Sequence, residues 1–594
     1  MKSKRELREF YQAEHQKNQE AADALKKKVL YSSALRFSVF LLVVFLCYVN
    51  WGQPETILIS LLVGAIAFIW LIRRHDGLKK KRAYRKAIVE INKRELSILE
   101  GNFHTQPEGN EYKNPEHFYS QDIDLFGRGS FYQYLNRTAL ESGSKRLAGI
   151  LTANECSEIP TKQEAIKELK DIPQWRQQFS ALASLVKVEV KAERVVRWLD
   201  EYEGFVPKRF KVLSVFFSVI SLVLIALFFT SNISGTIVTV WFFLGLGIIG
   251  MFLKKINKLV SDTSQIQTTF EQFYQLLEKI EGQEFSSELL KTKKESIINN
   301  TERASSILKR FSKLLDALDQ RSNMIVGIFA NGFLLRDLWV ARNIEQWIRE
   351  HHEEVGKWFE VISFFDAHNS LGNYAFNHPK HTFPTIEEDK EVLHSEKACH
   401  PLIREEVAVA NDFKIDKEQF YIITGANMAG KSTFLRTVAL QIVMANVGLP
   451  ICAESSRYTP IKLITSMRTT DSLTKDESYF FSELKRLKYI VDHIQTNRYF
   501  IILDEILKGT NSTDKAIGSR KFVDKLVRSH STGIIATHDL SLCEAADSLE
   551  QVENYYFDAV IKDDELFFDY MLRKGICQNM NASFLLRNMG IVDD

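Results

Sequence analysis

From Val212 to Leu253 no residue carries a charge, and Thr230-Ser231-Asn232 followed by Gly235 interrupts the run near its middle. Such a run can cross a bilayer twice as a helical hairpin, since one crossing takes about 20 apolar residues. Two more apolar runs stand near the start of the chain, at 37–54 (FSVFLLVVFLCYVNWGQP) and 56–72 (TILISLLVGAIAFIWLI), with Asn50, Gly52, Gln53, Pro54 and Glu55 at the turn. A core helix of a soluble protein seldom runs this long without charge. A cleaved leader peptide is also a poor account, because a polar segment comes first and a second span follows at once.

Basic residues flank all four spans. Lys26, Lys27 and Lys28 precede the first; Arg73, Arg74, Lys79, Lys80, Lys81 and Arg82 follow the second. Lys208, Arg209 and Lys211 precede the third, and Lys254, Lys255 and Lys258 follow the fourth. Such clusters are retained in the cytoplasm, so two short external turns are expected, with the N-terminus, 73–210 and everything beyond 254 cytoplasmic. The expected location is the inner (plasma) membrane, as a multi-pass protein.

A chain of 594 residues is too long for one hydrophobic core. Its formal net charge of +2 gives no bulk-charge argument for a nucleic-acid partner. The six cysteines (Cys47, Cys156, Cys399, Cys452, Cys543 and Cys577) lie far apart without a CxxC pair. That fits a reducing compartment and argues against a zinc or iron–sulfur site. Segments such as 79–100 and 162–200 carry apolar residues at helical spacing, and the chain is again helix-like from 254 to about 350. The stretch 366–385, with Asn, Gly, His and Pro, reads as irregular and as a boundary. Beyond it, short apolar runs beside glycine-rich or acidic turns predict strands alternating with helices.

One of these strands carries the chemistry. Phe420 to Thr424 leads into the loop Gly425-Ala-Asn427-Met428-Ala-Gly430, and Lys431-Ser432-Thr433 opens a helix. This is the strand–loop–helix setting that a phosphate-binding Walker A loop requires. Backbone amides at the helix start cradle phosphate, Lys431 reaches the β and γ phosphates of ATP, and the Ser432 hydroxyl holds Mg²⁺. A second apolar run, Phe500–Leu503, ends in Asp504-Glu505. Asp504 is placed to hold the magnesium shell and Glu505 to activate water. A third, Gly533–Thr537, ends at His538, a candidate for sensing the γ phosphate or orienting the water.

Together these elements resemble the ATPase domain of the MutS family of DNA mismatch repair proteins, which is akin to ABC-type ATPases. TGANMAGKST at 424–433 resembles that family's Walker A, LDEILKGTNSTD at 503–514 its Walker B and following loop, and ATHD at 536–539 its histidine switch. Cys399-His400-Pro401-Leu402-Ile403 resembles the start of the domain, and Asn411-Asp412-Phe413 the stretch near the adenine. The motifs Phe126-Gly-Arg-Gly-Ser130, Leu135-Asn-Arg-Thr138 and Gly143-Ser-Lys-Arg-Leu147 resemble the start of the family's helical core and lever. The resemblance covers roughly 121–200 and 260–585. It implies that Phe413 or a close neighbour packs on the base, that Asn427 contacts nucleotide across a dimer, and that Ser478 reaches the partner's site, with Glu483 coupling it to the levers. A serine here serves equally well as an ordinary helix N-cap. The family has glycine and arginine just before this serine where this chain has Asp476 and Glu477, and arginine where it has Lys508.

The expected fold class is α+β, multidomain: a polar leader (1–33), a membrane hairpin (34–72), a helical core and lever (73–207), a second hairpin (208–253), a second lever part (254–385) and a P-loop ATPase domain of ABC/MutS type with a dimerisation segment (386–594). Nothing before residue 121 resembles the family's mismatch-reading domain, and the hairpin 212–253 interrupts the levers where the family has a DNA clamp. The expectation is a homodimeric, membrane-anchored ATPase that turns ATP hydrolysis into lever motion at the lipid bilayer. DNA stays open as a partner: the basic run 73–86 can contact phosphates, but beside a span it also serves as a lipid anchor. A tethered repair or recombination factor, an ABC-type transporter and a nucleotide-binding scaffold without turnover are the alternatives.

Overall fold

The computed structural model describes residues 4–186, 192–207, 209–264, 266–298, 302–319, 324–388, 390–468, 479–507, 512–562 and 565–578. Among the described residues four helices are long and apolar enough to cross a membrane: Lys4–Val49, Pro54–Leu99, Phe210–Phe229 and Gly235–Ser264. No more than 17% of the apolar stretch of any of them is buried in the protein, which leaves those surfaces to lipid. Within the first hairpin the helices cross tightly at Gly64, where a Cβ would stand 2.5 Å from the Val43 side chain. In the second, Phe217 stacks on Trp241 at 4.5 Å, and the indole N–H donates to Ser221 Oγ at 2.8 Å.

The first two helices are 46 residues each. At 1.5 Å per residue each is about 69 Å long, roughly twice the hydrocarbon thickness. From Lys4 on, the leader expected as a separate segment at 1–33 is therefore the first part of a helix that continues into the span. Its polar half is held by the body of the protein: Leu7 and Tyr11 pack with Phe376, and the Tyr11 hydroxyl donates to Asn377 Oδ1 at 2.6 Å. Lys80, past the end of the second span, pairs with Glu271, which follows the fourth. The polar ends of both hairpins thus meet on one helical body.

In that body the described residues of the segment 162–200 are largely helical, as their spacing predicts, in the helices Ile159–Asp171, Pro173–Ser184 and Ala192–Asp200, with Pro173 opening the second where its missing N–H is harmless. The stretch 366–385 also departs from expectation. The helix Arg336–Asn377 runs unbroken through 42 residues, and irregular chain begins only at His378. Its loop-like residues form a buried polar seam instead. Asp366 accepts the backbone N–H groups of Ala139 and Leu140, and Ser370 Oγ accepts that of Arg137. Asn373 and Asn377 donate to Glu95, which also receives Arg137 Nε at 2.5 Å. Burial pushes the Asp366 carboxyl up to about 7 against the pull of those amides. Gly143 is required here, because a Cβ would sit 2.1 Å from Asp366 Oδ2.

Among the described residues the C-terminal part holds a six-stranded sheet in the order Leu572–Lys574, Val552–Phe557, Phe420–Gly425, Thr532–Ala536, Tyr499–Asp504, Lys462–Ser466. All neighbours are parallel except the Leu572–Lys574 edge. A four-stranded sheet (Thr385–Ile386, Ser455–Tyr458, Glu391–Ala398, Asn411–Asp416) packs beside it. The helix Lys431–Val447 is buried along nearly its whole length. It shares one apolar core with the sheet and with Leu147, Leu151, Ile166 and Leu371 of the helical body.

The Glu95–Arg137 pair is 2% and 7% exposed, so removing one partner strands a charge. Arg137→Met should lower unfolding stability by about 3–5 kcal/mol, and adding Glu95→Gln should restore part of the loss, read from thermal unfolding of the detergent-solubilised full chain.

Candidate functional site

Parallel register places the functional side chains. Ile423 pairs with Ala536, and Ala536 pairs with Asp504 on its other side. The Gly425 loop, Asp504-Glu505 and His538 therefore emerge side by side at the carboxyl edge of the sheet, where open α/β sheets bind ligands. They line a cavity of about 540 Å³ together with Asn427, Met428, Gly430, Lys431, Ser432 and Thr433.

Glycine is needed at both ends of the loop. Gly425 has φ 143° and a Cβ there would meet the Phe557 carbonyl oxygen at 2.5 Å; Gly430, at φ 103°, caps the helix that Lys431 opens. Asn427 and Met428 are exposed at the crest, with Met428 at φ 67°. The Lys431 ammonium turns back to donate to the carbonyls of Gly425 (2.7 Å) and Ala426 (2.9 Å) and lies 3.3 Å from His538 Nε2. Burial lowers its pKa, opposed by the charges of Asp504 and Glu505. His538 Nε2 is in turn 2.9 Å from Glu505 Oε1. Glu505 sits in the left-handed region at φ 52°, held there by its N–H to the Ala536 carbonyl. Ser432 donates to Asp504 Oδ2 at 2.8 Å. A hydroxyl and a carboxylate are the hard oxygen donors that Mg²⁺ takes alongside phosphate, so this pair fits that ion.

One expected residue falls elsewhere. Phe413 is 3% exposed, wedged edge-on between Tyr421 and Phe434, and does not line the cavity; a ring with no free face cannot stack on a base. Ser478 lies outside the described residues, as do Asp476, Glu477 and Lys508. Glu483 is described and is 3% exposed. The sequence reading missed Tyr570, which lines the cavity over Gly430 in a left-handed conformation (φ 56°). Asn411 fixes it, donating to the Tyr570 carbonyl at 3.0 Å and accepting the Leu572 N–H at 2.7 Å. His400 and Ile403 form the apolar far wall. Burial holds the His400 imidazole down to about 4 and hence neutral. Beside it Cys399 and Cys452 are joined as a disulfide, with Cα atoms 5.3 Å apart, where the sequence reading left all cysteines unpaired. Their separation of 53 residues gives no local signal, and only the fold brings them together.

Gly425→Ala should collapse this arrangement by pushing the loop off the Val552–Phe557 strand. A fall in thermal unfolding midpoint well beyond that of Gly149→Ala, where a Cβ meets nothing within 4 Å, is the expected result.

Residues 421–586 match the family described as MutS domain V. The chain is 29% identical over 273 residues to a DNA mismatch repair protein MutS of Staphylococcus epidermidis, covering 44% of this chain and 30% of that protein. It is 30% identical over 246 residues to that of Persephonella marina (40% and 28%), and 32% identical over 203 residues to the human MutS protein homolog 4 (32% and 22%). The chain thus spans under a third of the length of these relatives. These matches make it a distant relative of the MutS ATPases, with an ATPase-type nucleotide-binding domain joined to a helical, lever-like body and a membrane-associated part.

Proposed function

We propose that this protein is a membrane-anchored, Mg²⁺-dependent ATPase whose two copies close on composite nucleotide sites and whose levers carry that closure to the bilayer. The supporting observation is a single arrangement: Ser432 against Asp504, and Lys431, His538 and Glu505 in a chain, at the start of a helix that shares its core with the lever. On ATP binding, Lys431 exchanges its two loop carbonyls for the β and γ phosphate oxygens, and the helix-start amides take the remainder. Ser432 and Asp504 would hold Mg²⁺, whose positive charge would offset that of the phosphates. Glu505 takes a proton from water as its oxygen attacks the γ phosphorus and the bond to the β-phosphate oxygen breaks. His538, between Glu505 and Lys431, links the base to the presence of the γ phosphate. Ser478 of the second copy completes the site, and Tyr570 rather than Phe413 is the aromatic next to the nucleotide.

Turnover should fall at least about 100-fold in both Lys431→Ala and Glu505→Gln. Only the lysine variant should also lose binding of a fluorescent ATP analogue. Normal turnover in both would remove the assignment.

A second reading, a tethered factor acting on DNA, draws on the relatives, which are named as DNA mismatch repair proteins. Against it, the basic run 73–86 lies next to a span and Lys80 is paired with Glu271. Under the membrane reading, ATPase rate of the purified full chain should be the same with homoduplex, mismatched or branched DNA at low and high salt. Stimulation by one DNA form, weakened by salt, would instead select the repair reading.

A further inference from the structure

We propose that the helix Met324–Leu334 is a fifth membrane element, inserted beside the second hairpin without crossing, its outer face against the acyl chains of the same bilayer. The helix is 11 residues long, MIVGIFANGFL, and carries no charge. At that length it is either a buried core helix or a segment that enters the membrane without spanning it. Exposure decides between them: Ile328 is 42% exposed, Phe329 57% and Leu334 41%.

The other face is packed on the hairpin through backbone contact. A Cβ on Gly245 would stand 2.2 Å from the Gly332 carbonyl oxygen, so both helices need a small residue there. Phe242 contacts Phe329 and Phe333 at 5.7 and 5.2 Å between ring centres, and Ser218 donates to the Leu334 carbonyl at 3.4 Å. Gly245 lies about 15 Å along its helix from Gly235, with Lys254 about 14 Å further on, at 1.5 Å per residue. The contact is therefore midway along an uncharged run about as long as the hydrocarbon core is thick. Phe243 (62%) and Leu244 (50%) beside this contact are exposed on the hairpin as well.

The corner that follows closes its polar groups within the protein, as a non-spanning segment must. Asn331, 5% exposed, donates to Asp337 Oδ2 at 2.8 Å and accepts the Asp337 N–H at 2.9 Å. The Leu335 N–H goes to the Asn331 carbonyl, Leu335 turns the chain at φ 50°, and the Arg336 guanidinium points inward to the Ala317 carbonyl. Trp339, 44% exposed one turn later, is the amphipathic ring expected where hydrocarbon gives way to headgroups. The 42-residue helix thus starts at the membrane. None of this depends on the nucleotide reading.

The test is thiol accessibility in the full chain, in membrane vesicles made leaky so that a membrane-impermeant maleimide reaches both faces. Phe329→Cys and Ile328→Cys are compared with Phe243→Cys on the hairpin and Ile517→Cys on the exposed helix Ser512–Val527, after subtracting labelling of the unsubstituted protein. A thiol in hydrocarbon cannot form its thiolate, so positions 328 and 329 should label at least about tenfold more slowly than 517 and like 243. Labelling as fast as 517 would overturn the proposal. A photoreactive benzoylphenylalanine at 329 should then give lipid adducts. A cross-linked dimer instead would overturn it, assigning this face to a second copy. ATP turnover enters neither readout, so failure here leaves the site assignment standing.

Discussion

Three stretches of chain far apart in sequence meet at one carboxylate. Glu95, near the end of the helix that leaves the first hairpin, receives Arg137 from the start of the helical body and Asn373 and Asn377 from the end of the 42-residue helix. A buried charge has to be satisfied completely or it destabilises what surrounds it. The geometry of this junction therefore fixes the first hairpin relative to the lever, and no piece can shift without breaking several charge-assisted bonds together.

The nucleotide site is tied to that junction by packing rather than by charge. Beyond Arg436 the helix that begins at Lys431 presents no solvent face; its residues touch the sheet on one side and the helical body on the other. Well-packed interfaces move as units because small shifts cannot be absorbed by voids. Under the proposed mechanism, displacement of the loop as Lys431 trades carbonyls for phosphate would reach the helical body through this shared core. Asp122 and Arg486 add a second tie, the former accepting from Thr465 and the Arg468 N–H, the latter donating to the carbonyls of His117, Phe118 and Thr465.

What the sequence made legible followed from short-range rules. Uncharged runs identify spans, and a glycine loop between strand and helix identifies a phosphate site whose Lys431, Ser432, Asp504, Glu505 and His538 the structure brings together. What it hid depended on distant partners. The polar leader is helical because its apolar residues Leu7 and Tyr11 have Phe376 to pack on. Asn369, Ser370, Gly372 and Asn373 look like loop until Arg137, Glu95 and Leu169 are placed against that helix, where Gly372 allows an approach that would put a Cβ 2.7 Å from Leu169 Cβ. Phe413 stands away from the cavity and Tyr570 lines it for the same reason. Which aromatic faces a cavity is decided by the sheet edge and by Asn411, not by nearness to a motif.

The shared core also bears on synthesis. Leu147, Leu151 and Ile166 leave the ribosome well before Val438 and Ile442, which cover them in the finished protein. At ordinary elongation speeds that interval is roughly 15–60 s. Throughout it, the half-built body stands at the membrane with an uncovered apolar face, and for the first part of it one hairpin is still being inserted. The nascent chain thus exposes this face for longer than a protein whose domains close in turn.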